Sequence, residues 1–198
     1  MKKITVILMM LFFATVANAQ IQKGNIQLGG TLGFNTTEVD GNNRNIFNFA
    51  PRAGWFVSDN TAIGLISTIT SVNNDVFDPN LASIVEQKSN GFQIGAYARF
   101  HKNVVENLYL YLQPSLSFGS AKSELNGVET GDSSIMSLQL APGMTYFLSD
   151  RFALEMNLGN LGYQRNKTDI GNTEQVANTF NLNLNLSSFG LGMSYYIK

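Results

Sequence analysis

The chain has no cysteine, one histidine, one tryptophan and four prolines in 198 residues. Without cysteine, neither a disulfide framework nor a thiolate metal site can form. A lone histidine, His101, cannot build a multi-histidine metal centre. Charge is scarce as well. Asp, Glu, Lys and Arg make up 14% of the chain, against roughly 25% in soluble domains. No basic stripe is present to neutralise phosphates, which argues against nucleic-acid binding. After the first twenty residues no apolar run approaches the roughly 20 residues of a membrane-spanning helix.

Those first twenty residues have an organisation of their own. Lys2 and Lys3 form a positive end, Ile4 to Val16 an apolar run, and Ala17-Asn18-Ala19 a small-residue cleavage site. This is the pattern of a secretory signal peptide. The apolar run is too short for an anchoring helix. Residues 1–19 are therefore expected to be removed, leaving 20–198 as one domain of 179 residues. Lys2 and Lys3 leave with the signal, so 13 basic residues become 11 against 14 acidic ones, a net charge of −3.

What the mature chain has in place of charge is alternation. Mean hydropathy is close to zero, as apolar and uncharged polar residues in turn would give. Leu108, Leu110, Leu112, Leu116 and Phe118 share one parity with Pro114. Tyr109, Tyr111, Gln113, Ser115 and Ser117 share the other with Gly119. A strict period of two over twelve residues is a strand with one apolar and one polar face. Its length matches the roughly 9–11 residues of a tilted strand crossing a bilayer. The same pattern predicts strands at Ile26–Asn35, Phe47–Val57, Thr61–Val72, Phe92–His101, Met136–Tyr146, Phe152–Leu158 and Phe180–Ile197. The third is the weakest, because Ser67 interrupts its apolar face, and the eighth changes parity at Ser187-Ser188, which reads as a β-bulge.

Eight is an even number, and the connections alternate in length. Ser58–Asn60, Lys102–Asn107 and Ser149–Arg151 are short. Asp40–Arg44, Asn73–Asn90, Ser120–Ser134 and Gln164–Thr179 are polar and mostly longer. Short turns at one end and longer loops at the other are the pattern of an outer-membrane barrel. The expected fold class is all-β: an eight-stranded antiparallel up-and-down transmembrane barrel. The competing arrangement is a soluble calyx with the apolar face inward. Its exterior would then be Gln, Ser, Asn, Thr, Tyr and Gly with few charges, a poor soluble surface. With the apolar face outward, the aromatics sort by depth. Trp55, Phe100, Tyr146, Phe152 and Tyr195 lie near the short turns, and Phe34, Phe47, Phe92, Phe118 and Phe180 near the long loops. Two such girdles are expected at the two membrane interfaces. The prolines count against this reading. Pro51, Pro114 and Pro142 fall inside strands, where each removes a ladder hydrogen bond.

The run Phe49-Ala50-Pro51-Arg52-Ala53-Gly54-Trp55-Phe56-Val57-Ser58-Asp59 is echoed by Leu140-Ala141-Pro142-Gly143-Met144-Thr145-Tyr146-Phe147-Leu148-Ser149-Asp150. Each closes a strand at a short turn, so similar local demands account for the echo as well as duplication does. With Asn60, Ala62 and Gly64 following, Pro51 to Asn60 resembles the second strand of small outer-membrane β-barrel proteins of the OmpA/OmpX type. The resemblance covers the mature chain, and its motifs are architectural. It implies the outer membrane of a Gram-negative bacterium, contact with outer-membrane lipid and lipopolysaccharide, and the barrel-assembly machinery as a partner during biogenesis. A monomer without cofactor is expected, and, because nothing follows the eighth strand, the peptidoglycan-binding domain that some relatives carry is expected to be absent. The usual terminal aromatic is displaced here into Tyr195-Tyr196-Ile197-Lys198.

Parity places Arg52, Arg99, His101 and Glu155 in the lumen, with Gln113 and Gln139 as polar neighbours. Eight strands leave a lumen just wide enough to be filled by side chains, and a buried arginine needs a carboxylate. Glu155 is expected to pair with Arg99 or Arg52. The alternative is that each is separately hydrated near the mouth. No catalytic or metal site is expected. His101 lies at the short-turn end, away from where chemistry on outer-leaflet lipid would occur. Gly29-Gly30-Thr31-Leu32-Gly33 lacks the helix and Lys-Ser/Thr of a phosphate loop. Asp75, Asp78, Glu86, Glu124, Glu129, Asp132, Asp169 and Glu174 make the loops acidic, either as a solvated rim or as a site for cations bridging lipopolysaccharide. Asp78-Pro79 opens a possible short helix over 78–86, with Leu81, Ile84 and Val85 as its apolar face. The expected role is structural or surface interaction through the loops. The alternatives are a narrow or gated channel for small solutes or apolar molecules, and a soluble periplasmic carrier.

Overall fold

A computed structural model describes residues 21–39, 42–78, 83–170, 173–183 and 190–198. The expected signal peptide and the Ser187-Ser188 bulge lie outside the described residues. Among the described residues there are ten strand segments: β1 (Ile26–Val39), β2 (Asn42–Ser58), β3 (Thr61–Asp78), β4 (Ser83–Val105), β5 (Leu108–Leu125), β6 (Val128–Phe147), β7 (Phe152–Asn157), β8 (Asn160–Ile170), β9 (Thr173–Asn183) and β10 (Gly190–Ile197). Every neighbouring pair is antiparallel. Eight segments close a ring: β1 to β6 in order, then β7, then β10, which returns to β1. The closing pair runs from Ile26 opposite Ile197 to Leu32 opposite Leu191. Closure satisfies backbone groups that hydrocarbon could not solvate, which is why sheets cross membranes only as barrels.

β8 and β9 continue this wall beyond the ring. β8 pairs with the outer half of β6, and β9 with β8. The seventh barrel strand is therefore β7 plus β8, interrupted at Leu158-Gly159. Gly159 has φ 146°, and the Leu158 amide donates to the Pro142 carbonyl at 2.9 Å. Each in-strand proline coincides with such a break. Pro51 pairs with Gly30 on one side, but the β2–β3 ladder skips from Phe49 to Arg52 on the other. Pro114 pairs with Leu140, while the β4–β5 ladder skips from Ser115 to Leu112. Pro142 pairs with Leu112 and faces the gap between β7 and β8. Each ring is accommodated by giving up pairing on one side only.

Three expected loops are ladders instead. Asn73–Asn90, Ser120–Ser134 and Gln164–Thr179 consist mostly of paired strand, so β4 reaches 23 residues and β6 20. The β5–β6 hairpin turns at Asn126 (φ 50°) and Gly127 (φ 78°). Two consecutive positive-φ residues with the Asn-Gly sequence are the two-residue hairpin signal. Asn126 is also docked sideways. Its amide donates to the Glu86 carbonyl at 2.8 Å, and its Oδ1 accepts from the Glu86 amide at 2.9 Å. For the expected helix, Ser83–Glu86 belong to β4, and residues 79–82 lie outside the described residues.

The apolar faces point outward. Of the short-turn girdle, Trp55, Phe100, Tyr146 and Tyr195 are exposed and Phe152 is half-buried opposite Tyr195. Of the other, Phe34, Phe47, Phe92, Phe118 and Phe180 are all exposed, with Phe34 directly opposite Phe47. Leu110, Leu112, Leu116 and Phe118 of β5 are exposed, whereas Tyr111 and Gln113 are buried. Two inward tyrosines depend on glycines beside them. Tyr97 lies over Gly54 and Tyr111 over Gly143, where a Cβ would overlap the ring or hydroxyl. Gly143→Ala should lower the unfolding midpoint in detergent micelles, with a cost of about 1–3 kcal/mol from overpacking. Gly33→Ala, where the added Cβ would meet Asn48 Cβ at an ordinary 3.7 Å, should shift it far less.

Candidate functional site

One carboxylate organises the lumen near the short-turn end. β7 carries Glu155 inward, 1% exposed, where five strands converge. Its Oε2 accepts from Arg52 Nη2 of β2 and, at 2.9 Å, from Arg99 Nη1 of β4. Its Oε1 accepts from Gln27 Nε2 of β1 at 2.7 Å and from Ser194 Oγ of β10. Gln27 Nε2 also lies 3.1 Å from Ser194 Oγ and from Tyr196 Oη. Arg99 is fixed further by Gln113 of β5, whose Oε1 accepts from Nε at 2.8 Å and Nη2 at 2.6 Å. The Arg99 guanidinium sits 4.1 Å from the centroid of the Tyr111 ring, a cation–π contact. A buried charge is tolerated when it is paired and its remaining sites are hydrogen-bonded, and Glu155 meets both conditions.

Below this layer the lumen is stopped by rings. Phe56, Phe147 and Tyr196 pack together, with centroids 6.0 Å apart for Phe56–Tyr196 and 4.8 Å for Phe147–Tyr196. Tyr109 meets Phe147 edge-on at 5.6 Å. Ile21 is folded back into this cluster by the turn at Lys23-Gly24. Gly24 at φ 95° donates to the Phe56 carbonyl at 2.8 Å, and the Phe56 amide donates to the Asn25 carbonyl at 2.9 Å. His101 is buried among Phe56, Tyr109 and Tyr111, with neither ring nitrogen hydrogen-bonded. It lines a cavity of about 550 Å³ at the short-turn mouth, with Lys23, Asp59, Asn60 and Asn103. Among the described residues no group of three or more His, Asp or Glu is placed to hold a metal ion.

Arg52, Arg99, Glu155 and Gln113 are thus in one network, and His101 is beneath it without a polar contact to it. Gln139 has the same parity but is exposed and lies away from the network. Tyr111, on the inward face that the alternation of its strand predicts, belongs to the network, as do Gln27, Ser194 and Tyr196, which the sequence reading leaves out of the candidate cluster. These three share the lumen parity of their strands, which is the signal that could have found them.

At the far end, charge is on the hairpins. Lys88 pairs with Glu86 at 2.7 Å, Lys122 with Glu129 at 3.1 Å, and Lys167 with Glu174 at 3.0 Å. The hydrogen bonds from Lys88 and Lys122 raise the pKa of each, Glu86 acting on Lys88 and Glu129 on Lys122. These pairs are exposed and contribute little to stability. The lumen network should behave differently. Glu155→Ala would leave two buried guanidinium groups without a carboxylate and should cost about 3–5 kcal/mol. Glu129→Ala should change the unfolding midpoint by no more than about 1 kcal/mol equivalent. Parallel unfolding curves in micelles check both.

Several solved structures are similar to this chain. The N-terminal β-barrel domain of Pseudomonas aeruginosa OprF is 12% identical, with 88% of this chain and 98% of that one covered and a TM-score of 0.47. OprG of Pseudomonas aeruginosa is 11% identical, with 91% and 99% covered and a TM-score of 0.49. Ail, the attachment invasion locus protein of Yersinia pestis, is 16% identical, with 89% and 100% covered and a TM-score of 0.44. No curated protein matches the sequence. A family model described as the outer membrane protein beta-barrel domain matches residues 4–196. With an outward apolar wall, a closed ring and a polar lumen, the chain belongs to that family of outer-membrane β-barrel proteins.

Proposed function

We propose that this chain is a closed, non-enzymatic outer-membrane barrel that acts through its long hairpins and not through its lumen. The observation that carries this reading is the stopped lumen: a fully buried network on Glu155 lies directly above a layer of packed aromatic rings. A conducting path would have to separate Arg52 and Arg99 from their carboxylate, and removing one partner of such a pair costs several kcal/mol. The short turns face the periplasm, and the β3–β4, β5–β6 and β8–β9 hairpins project from the cell. Charged side chains exposed there offer contacts to lipopolysaccharide and to external partners. The chain reaches this place as a secreted precursor, and the barrel-assembly machinery inserts it as a monomer. Transport through a narrow lumen is the second reading, and the half-buried polar residues above the network, such as Gln93, Thr68 and Ser117, favour it.

Planar-bilayer recording separates the two. The purified wild-type barrel should show no resolved channel steps, and Glu155→Ala should open brief ones. Steady wild-type steps that survive unchanged in Glu155→Ala would replace the closed reading with the channel.

A further inference from the structure

The outward face of β4 is interrupted halfway along. Phe92, Ile94, Phe100 and Lys102 are exposed on that face, but between Ile94 and Phe100 come only Ala96 and Ala98. The registers set large outward side chains on both flanks. Leu65 of β3 and Leu116 of β5 are opposite Ala96, Ile63 is opposite Ala98, and Trp55 of β2 is opposite Ile63. The result is an apolar groove of about 710 Å³ in the outer wall, bounded by Trp55 on one side and by Leu116 and Leu138 on the other. That volume is within the roughly 300–1,000 Å³ of small-molecule sites. Pro114 also lines it, at the place where the β4–β5 ladder is interrupted.

The groove opens on the wall that an outer-membrane barrel turns toward lipid, so it is continuous with a surface that acyl chains cover. Burial from water is not the driving force there, because lipid tails are as apolar as leucine. In hydrocarbon a groove holds a chain by close packing, and selectivity has to come from the head group. One charged side chain is in line with it. Lys102 lies on the same outward face of β4, four residues or about 13 Å nearer the short turn than Ala98. It is exposed, and among the described residues no carboxylate pairs with it. A lysine in such a place lays its stem on apolar surface and keeps its ammonium at the interface.

We infer that this groove binds one anionic glycerophospholipid of the periplasmic leaflet, with an acyl chain over Ala96 and Ala98 and its phosphate at Lys102. The groove ends beside the girdle of the short turns. A lipid of the opposite leaflet, with its head group at the hairpins, would approach it from the wrong end. With one cation and no carboxylate paired to it, a head group of net negative charge is favoured over a zwitterionic one. The site rests on the reading above that the short turns face the periplasm.

Trp55 is the only tryptophan of the chain and lines the groove, so the site carries its own reporter. The purified barrel is placed in phosphatidylcholine vesicles containing a small fraction of lipid brominated along its acyl chains, which quenches tryptophan on contact. Brominated phosphatidylglycerol should quench Trp55 at about fivefold lower mole fraction than brominated phosphatidylcholine, the worth of one lysine near a charged surface. The preference should shrink in high salt. Lys102→Gln should abolish it and leave quenching by phosphatidylcholine unchanged. Ala96→Leu with Ala98→Leu fills the groove, adds bulk only on the lipid side, and should remove the saturable part of the quenching. Equal quenching by the two lipids in the wild type would overturn the inference, as would a preference that survives both variants. So would a Trp55 that becomes shielded from every lipid as protein density rises, because a second copy would then cover the groove. Orientation is tested separately with Asp150→Cys, in the Ser149–Arg151 turn of a chain without cysteine, and a membrane-impermeant maleimide. Labelling on intact cells would overturn the periplasmic placement and leave the lipid site standing. Labelling only after permeabilisation, with no lipid preference, would do the reverse.

Discussion

Everything at the base of this barrel depends on Glu155 having four donors. The carboxylate is carried by β7 and accepts from β1, β2, β4 and β10, so a single side chain ties non-adjacent strands across the lumen. Strand pairing fixes only neighbours. It leaves the ring free to flatten or shear, because outside the barrel the apolar face meets lipid and gains little from one shape over another. The cross-lumen bonds remove that freedom. Their low-dielectric setting makes each of them strong, and makes the loss of any one expensive.

The sheet departs from regularity where it can do so cheaply. Pro51, Pro114 and Pro142 each lose pairing on one side, and the seventh strand is broken opposite Pro142. Two of these breaks are adjacent, since Pro114 pairs with Leu140 and Pro142 with Leu112. A local gap in the ladder lets the wall bend around bulky inward residues. Tyr111 and Gln113, next to Pro114, are among the largest groups in the lumen network. The same economy explains Gly54 and Gly143, which cede their side-chain volume to Tyr97 and Tyr111. The lumen is thus filled by a few large residues on some strands resting on small residues of others.

How much of this could be read from the sequence follows from what surrounds each stretch. Where one face is exposed and apolar and the other meets a polar lumen, alternation is strong, and the strands from Ile26 to Tyr146 were legible. Beyond Met136 toward the β5–β6 turn the residues are mostly exposed on both faces. Val128 to Ser134 reads Val-Glu-Thr-Gly-Asp-Ser-Ser, with no period, yet it pairs with β5 throughout apart from Thr130. The hydrophobic pattern ended there, and the ladder did not. Asn126-Gly127 was the one local signal for that continuation, because it specifies a tight hairpin whatever the environment. Parity also put Arg52, Arg99 and Glu155 on one inward surface. It could not say that Glu155 meets both arginines, because relative height across a barrel depends on strand stagger, which a single strand does not encode.

Stagger also explains why Gln139 and Gln113 part company. Both are inward glutamines on neighbouring strands, and the register sets Gln113 opposite Ala141 and Gln139 opposite Ser115. Two residues of offset move Gln139 out of the layer that Arg99 occupies and into the part of the lumen that solvent reaches. Gln113 stays below, where its carbonyl oxygen takes two guanidinium bonds and stands in for a second carboxylate. An amide in that position satisfies the geometry of Arg99 without cancelling its charge. The network is therefore complete in hydrogen bonds at Arg99 and carries two guanidinium groups on one carboxylate, with Arg52 Nε left without a partner.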